Sequence, residues 1–203
     1  VNDNKKQKAF DDFFSDRNQT SASVEEGNIL ISDPFLLDPN FSRTVVLMVK
    51  HNDEGSLGFV LNDKSKFKIT EVIDDFPEFD TYVFLGGPVG NESLFFIHTR
   101  NDIISEGIEV LNGLYWGGNF DELKKAVSDK KINKEEVIFF VGYSGWDKDQ
   151  LNDELNEKSW IVTDITTEEV MLQTGKSLWN TKLKNLGDKF KILSNFPEDP
   201  SLN

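Results

Sequence analysis

Thr44–Asn62, TVVLMVKHNDEGSLGFVLN, decides the fold. Two apolar, β-branched-rich runs, Val45–Val49 and Leu57–Leu61, flank the polar segment His51–Ser56, which contains Gly55. Runs separated by a short Gly-containing loop read as a β-hairpin. Neither run alternates cleanly between apolar and polar residues, so each strand is expected to be covered on both faces. The hairpin is therefore predicted to be central and buried.

Working outward, Asn28–Ser32 (NILIS) reads as a strand ended by Asp33-Pro34, since the residue before proline is pushed towards extended geometry. Asp38-Pro39-Asn40 gives a second turn before the hairpin. Beyond Asn62, the polar DKSKFK leads to a short helix or turn at Ile69–Asp74. Thr81–Leu85 and Leu94–His98 are further strands, separated by Gly86-Gly87-Pro88-Val89. Gly107–Val110 and Leu114–Trp116 surround Asn112-Gly113, a strong two-residue hairpin signal. The period then changes. Asn119 with Glu122 reads as a capping box for a helix reaching about Lys130. Glu136–Val141 is a buried strand that is expected to end in a turn at Gly142-Tyr143-Ser144-Gly145-Trp146. Asp147 with Gln150 caps a second helix, Trp160–Ile165 is the last strand, and Thr166 with Glu169 caps another helix. A further helix through Trp179, Leu183 and Leu186 closes at Gly187, the expected C′ glycine. Hairpins first and strand–helix alternation later argue for α+β, one mixed sheet with helices packed to one side.

Residues 1–26 read as a polar N-terminal arm, with Phe10, Phe13 and Phe14 at helical spacing, and residues 27–203 as the single-domain body. At 203 residues with 17 Phe, the chain is long enough for one sizeable core. No apolar run approaches the ~20 residues needed to span a bilayer, so no membrane role is expected. Zero Cys excludes disulfides and thiolate metal sites and fits a cytoplasmic protein. The net charge of −14 repels phosphate backbones, and the three arginines, Arg17, Arg43 and Arg100, are scattered. Direct nucleic-acid binding is thus disfavoured, and a basic protein partner is easier to accommodate.

Candidate chemistry is sparse. Ser144 between glycines at an expected strand-to-helix turn is the most suggestive feature, because a nucleophile elbow needs such a turn. That signature is G-x-S-x-G, however, and here Gly follows Ser144 while Trp146 takes the fifth position. The bland reading, a tight turn or helix cap, is preferred. A hydrolase using Ser144 with His51 or His98 as base is the alternative. Gly86–Val89 could cradle phosphate, but Pro88 removes a backbone donor where a cradle needs one. Two histidines without cysteine or H-x-x-x-H spacing give no metal site. Acidic pairs such as Asp74-Asp75, Glu135-Glu136 and Glu168-Glu169 converge on no pair of roles, and two of them lie near helix starts, where the helix dipole accounts for them. No cofactor is expected.

Several blocks together resemble the YqgE/AlgH family: Ile29–Pro34 (ILISDP), Asp38–Arg43 (DPNFSR), His51-Asn52 with Gly55 and Gly58–Asn62 (GFVLN), Gly86–Val89 (GGPV) and Gly142–Trp146 (GYSGW), completed by Leu151–Leu155 and Trp160. Each is short, but their order and spacing cover nearly the whole body. The resemblance implies a cytoplasmic single domain with a coiled, barrel-like sheet flanked by helices, and a role in transcriptional regulation. It brings no catalytic residues. The expectation is a non-enzymatic protein that regulates indirectly, through an unknown protein partner or small ligand. Asp33, Asn40, His51, Asn62, Gly87, Tyr143, Ser144 and Trp146 are the ligand-binding candidates, since turns from adjacent strands tend to share one sheet edge.

Overall fold

The chain is described by a computed structural model over residues 23–172 and 175–194. The expected arm lies outside these residues except for its last four, and so does the Phe10, Phe13 and Phe14 pattern. Val24 is already buried in the core, and the Glu26 carboxylate accepts the His51 amide (3.2 Å).

The hairpin forms as the sequence predicts, with two longer strands: β2 is Val45–Asn52 and β3 is Gly55–Val60. The loop expected over His51–Ser56 shrinks to Asp53-Glu54, because His51 pairs with Ser56 and Asn52 with Gly55. The earlier strand β1 (Ile29–Ser32) pairs with β2 on one side and with β10 (Trp160–Thr163) on the other. Both faces of β1 and of β2 from Val45 to Val49 are buried, as their unbroken apolar runs require.

After the hairpin, the stretch expected to be merely polar forms an edge strand, β4 (Lys64–Lys68), followed by a single helical turn, α1 (Ile69–Val72). Strand β4 was illegible because its three lysines blunt an exposed edge instead of filling a core. It pairs with β5 (Tyr82–Leu85). Strand β6 runs Val89–His98, and the Asn112-Gly113 turn joins β7 (Ile108–Leu111) to β8 (Leu114–Trp116). Helix α2 (Phe120–Ser128) starts at Asn119, whose Oδ1 accepts the amides of Asp121 and Glu122. The capping box is not reciprocal: Glu122 accepts the Ser105 amide (2.7 Å) and hydroxyl (2.8 Å). Helix α3 (Gln150–Asn156), α4 (Thr167–Leu172) and α5 (Ser177–Asn185) follow, α5 ending just before Gly187 as expected, and a separate helix, α6 (Asp188–Leu193), starts beyond that glycine.

The organising strand is β9, eleven residues from Val137 to Asp147. It runs straight through Gly142–Trp146, so the turn expected there is a correction. The glycines mark close backbone approaches within a strand, a use that local turn propensity does not distinguish. Along the sheet the order is β10-β1-β2-β3-β9-β6-β8-β7, with β5 also on β9 and β4 beyond it. The β5–β9 pairing is parallel and the rest antiparallel. The ends of this order do not meet, so the coiled, mixed α+β sheet stays open.

Alternation along the strands divides the core into three. Ile29, Leu47, Phe59, Ile138 and Phe140 face an inner cluster closed by Val170 of α4 and Leu178, Trp179 and Leu183 of α5. Val137 and Phe139 point to the opposite face, under Leu123 and Val127 of α2. Leu30, Val46, Met48 and Trp146 pack with Leu151 of α3. Helices therefore cover both faces instead of one. Phe59 and Phe140 stack at 4.7 Å in the inner cluster, and burying each such ring stabilises by roughly 2–3 kcal/mol.

Candidate functional site

Two glycine motifs meet because the chain crosses itself. Strands β5 and β6 both pair with β9 at Phe139–Val141, so they occupy its opposite edges. The link between them is only Gly86-Gly87-Pro88, and it has to step over β9, a span of two strand spacings or roughly 10 Å. Three extended residues reach about that far and no further. The link therefore lies on the β9 backbone. A Cβ on Gly86 would meet the Gly142 oxygen at 2.3 Å, and one on Gly87 would meet the Tyr143 carbonyl carbon at 2.3 Å and the Ser144 nitrogen at 2.4 Å. Gly142, with φ +70°, returns the constraint: its Cβ would strike the Gly87 oxygen at 2.7 Å. The GGPV and GYSG blocks are the two sides of one crossing.

Ser144 is fully buried beneath it. Its hydroxyl donates to the Gly86 carbonyl (3.1 Å), which also accepts the Val60 amide (2.9 Å). Neither histidine is bonded to that hydroxyl. His51 Nδ1 pairs with Ser56 Oγ at 2.7 Å. His98 Nε2 lies 3.0 Å from the Gly117 carbonyl, an acceptor only, so that nitrogen carries the proton and Nδ1 accepts the Arg100 amide (3.2 Å). His98 also pairs across from Val137, seven residues and roughly 23 Å along β9 from Ser144. Burial pushes the His98 pKa down, partly opposed by the Gly117 carbonyl and Asp102. The imidazole is held neutral. Arg100 beside it is bound by Asp102 (2.8 Å) and Glu136 (3.0 Å).

Two grooves flank the tip of the β2–β3 hairpin. The larger, of about 500 Å³, lies on the face where Lys50 pairs with Leu57 and Leu57 with Gly145, and where Asn52 pairs with Gly55 and Gly55 with Asp147. Those six positions form two cross-strand rows. The edge of the Tyr143 ring lies 3.0 Å from where a Gly145 Cβ would stand, Leu57 is the apolar centre of the floor, and Tyr143 with the exposed Val89 closes one end. Glu54 stands at the other. Lys50, Glu54 and Asp147 form no ion pair among the described residues. The smaller groove, about 290 Å³, lies against α3 and includes His51, Asp53 and Asn152. Among the described residues no group of three or more His, Asp or Glu is placed to hold a metal ion.

Apart from Asn40, the ligand-binding candidates read from sequence thus separate into four places. Tyr143 and Trp146 line the larger groove and His51 the smaller. Gly87 and Ser144 lie in the crossing. Asn62 and Asp33 lie near the Val45 end of β2, six residues or roughly 20 Å along the strand from His51, and Asn40 lies in the turn before Phe41, whose ring stacks on Trp146. Asn62 Oδ1 accepts the Val45 amide (2.8 Å) and its side-chain amide donates to the Arg43 carbonyl (2.8 Å). Asp33 Oδ1 accepts the Phe35 amide, and the Asn40 amide donates to Asp38. Sequence reading missed Lys50, Glu54, Leu57, Gly145 and Asp147. Their signal is period two: Lys50 and Asn52, Gly55 and Leu57, Tyr143, Gly145 and Asp147 share one sheet face. It also missed Glu154, whose Oε2 accepts both indole N–H groups, Trp146 at 2.8 Å and Trp160 at 2.7 Å, pinning α3 to the sheet.

Comparison with known proteins bears on this span as a whole. The family model described as AlgH-like matches residues 29–191. The chain belongs to that family. A UPF0301 protein of Cytophaga hutchinsonii is 42% identical over 182 residues, covering 89% of this chain and 100% of that one. One from Chlorobaculum parvum is 41% identical over 180 residues, covering 89% and 96%. The solution structure of the AlgH protein from Pseudomonas aeruginosa, 26% identical, superposes with a TM-score of 0.69 over 89% of this chain and 98% of that one. The crystal structure of a Corynebacterium diphtheriae protein, at 18% identity and a TM-score of 0.69 over 86% and 94%, shares the fold. The crossing and both grooves of this AlgH-like chain lie inside the matched residues. Among the described residues no helix is long and apolar enough to cross a membrane.

Proposed function

We propose that this AlgH-like chain is a non-enzymatic cytoplasmic regulator, acting by binding a protein segment or small ligand in the groove beside Tyr143 and Trp146. The observation that carries the reading is where polar groups are left unspent. Lys50, Glu54 and Asp147 surround an open floor without ion-pair partners among the described residues, while the Ser144 hydroxyl is buried and bonded to the Gly86 carbonyl. A nucleophile needs an accessible hydroxyl with a base in reach. A binding site needs an open floor with a few polar groups converging on it. Regulation is indirect on this reading, since a charge of −14 opposes contact with phosphate backbones.

The test is a ligand screen of the full chain by NMR, following the Gly55, Gly145 and Tyr143 amides, beside an ester and amide hydrolysis panel with Ser144→Ala as control. Shifts confined to those amides, with no turnover, support the binding reading. Turnover that disappears in Ser144→Ala overturns it in favour of the hydrolase. Retention on a phosphate-bearing column that falls steeply with salt would favour the nucleic-acid alternative.

A further inference from the structure

The larger groove has an unused backbone edge as well as unused charges. Strand β3 holds one edge of β9 from Ser144 to Asp147. On the other edge, the β6 ladder stops at the Val89–Tyr143 pair. Beyond Tyr143 no described strand covers that edge, and the Asp147 amide is instead satisfied by the Gln150 side chain (3.0 Å). Gly145 has no side chain, so what it presents to the groove is backbone. A β-strand edge with no described strand beside it is a template for one more strand, and here the Gly145 stretch, short of the occupied Asp147 amide, is what it offers.

Charge selects what that strand carries. Glu54 and Asp147 outnumber Lys50 around the groove, and the whole chain is at −14. Side chains on one face of an added strand recur every second residue. The residue opposite Gly145 would lie over the floor beside Leu57, where an apolar side chain gains most. The residue two along would lie opposite Asp147, where a cation is favoured. We propose that the groove receives an extended peptide segment of a partner protein, added as a strand to the Gly145–Asp147 edge of β9 and bearing an apolar residue and a Lys or Arg two positions apart. This rests on the binding reading above and names its partner class.

The experiment titrates the full chain with acetyl-Thr-Phe-Thr-Lys-Thr-amide and its reversed order, acetyl-Thr-Lys-Thr-Phe-Thr-amide, which cover both strand directions. The same pair with Glu for Lys is the control. Binding is read by NMR shifts and fluorescence anisotropy at low salt. The expected result is that a Lys peptide binds, moves the Gly145 and Gly55 amides, and weakens about tenfold in the Glu54→Gln, Asp147→Asn double variant. Those two exposed side chains hold nothing in the fold, so the variant stays folded. Gly145→Val, which fills the floor, abolishes binding, and its thermal midpoint reports whether it folds. Equal binding of the Glu peptides, or binding insensitive to the double variant, overturns the proposal. If small molecules from the screen shift Gly145 while neither Lys peptide does, the peptide class fails and the binding reading stands. If nothing shifts Gly145, both fail.

Discussion

The two halves of β9 are built to opposite specifications. From Val137 to Val141 the strand is bulky and apolar, held by β5 on one edge and β6 on the other, with Ile138 and Phe140 on one face and Val137 and Phe139 on the other. From Tyr143 to Asp147 two aromatic residues bracket the Ser144-Gly145 pair, and one edge has no described strand beside it. The first half spends every side chain on the core. The second withholds one at Gly145, in the groove floor. Glycine serves both sides of the boundary between them, but for different reasons: at 86, 87 and 142 it admits another backbone, and at 145 it makes way for the edge of the Tyr143 ring.

The sharpest way to break this comparison is to add one methyl group on each side. Gly87→Ala puts a Cβ into the β9 backbone at φ +151°, and backbone cannot yield there. The expected loss is about 4 kcal/mol or more, seen as insoluble protein or a collapsed denaturation midpoint. Gly145→Ala meets only the edge of the Tyr143 ring, at 3.0 Å, and that ring can shift. The same experiment should show a loss of about 1 kcal/mol or less. Equal effects would mean the two glycines do the same job. Truncating the packed half, Phe140→Ala, should cost about 4 kcal/mol in urea unfolding, since it removes the stack on Phe59.

Next in size is Glu154→Ala, which strands two indole donors at the outer end of β9. About 2–3 kcal/mol should be lost, with a change in tryptophan fluorescence. Ser144→Ala removes one buried hydrogen bond under the crossing and should cost about 1 kcal/mol. The gentlest test is acidity. His98 has its pKa lowered by burial, so the folded state binds fewer protons than the unfolded chain just below the ordinary value of 6.5. Its contribution is complete above pH 6.5 and is lost as pH falls through the depressed folded value. Stability should decline as pH falls below 6.5, and His98→Gln should flatten that part of the profile.

The apolar half was legible in the sequence and the glycine half was not. Strands such as Val45–Asn52 and Val137–Val141 announce themselves because burial on both faces demands unbroken β-branched and aromatic runs. The hairpin and the α+β class follow from them, whereas the coiled sheet was implied by the family resemblance. Gly142–Trp146 misled because a glycine that bends the chain and a glycine that lets another chain lie across it are the same letter. Only the pairing of β5 and β6 with one strand separates the two uses, and that is a contact between residues far apart in sequence. The groove was half-legible. Tyr143 and Trp146 came from recognisable blocks, whereas Lys50, Glu54 and Asp147 are ordinary surface charges until the register sets them around one floor. Lys182 was hidden for a related reason: a lysine in a helix reads as solvated, yet this one is buried against Glu169 at 2.7 Å.

The three-residue link over β9 also dictates an order of events at the ribosome. Strands β5 and β6 are synthesised some forty residues before the strand that must lie between them. They cannot pair with each other in the meantime without closing the slot. The centre of the sheet therefore waits until Asp147 has left the exit tunnel, and any nascent chain stalled earlier exposes two unmatched edges. Late insertion of a middle strand joins residues distant along the chain, which is the slow route to a native sheet.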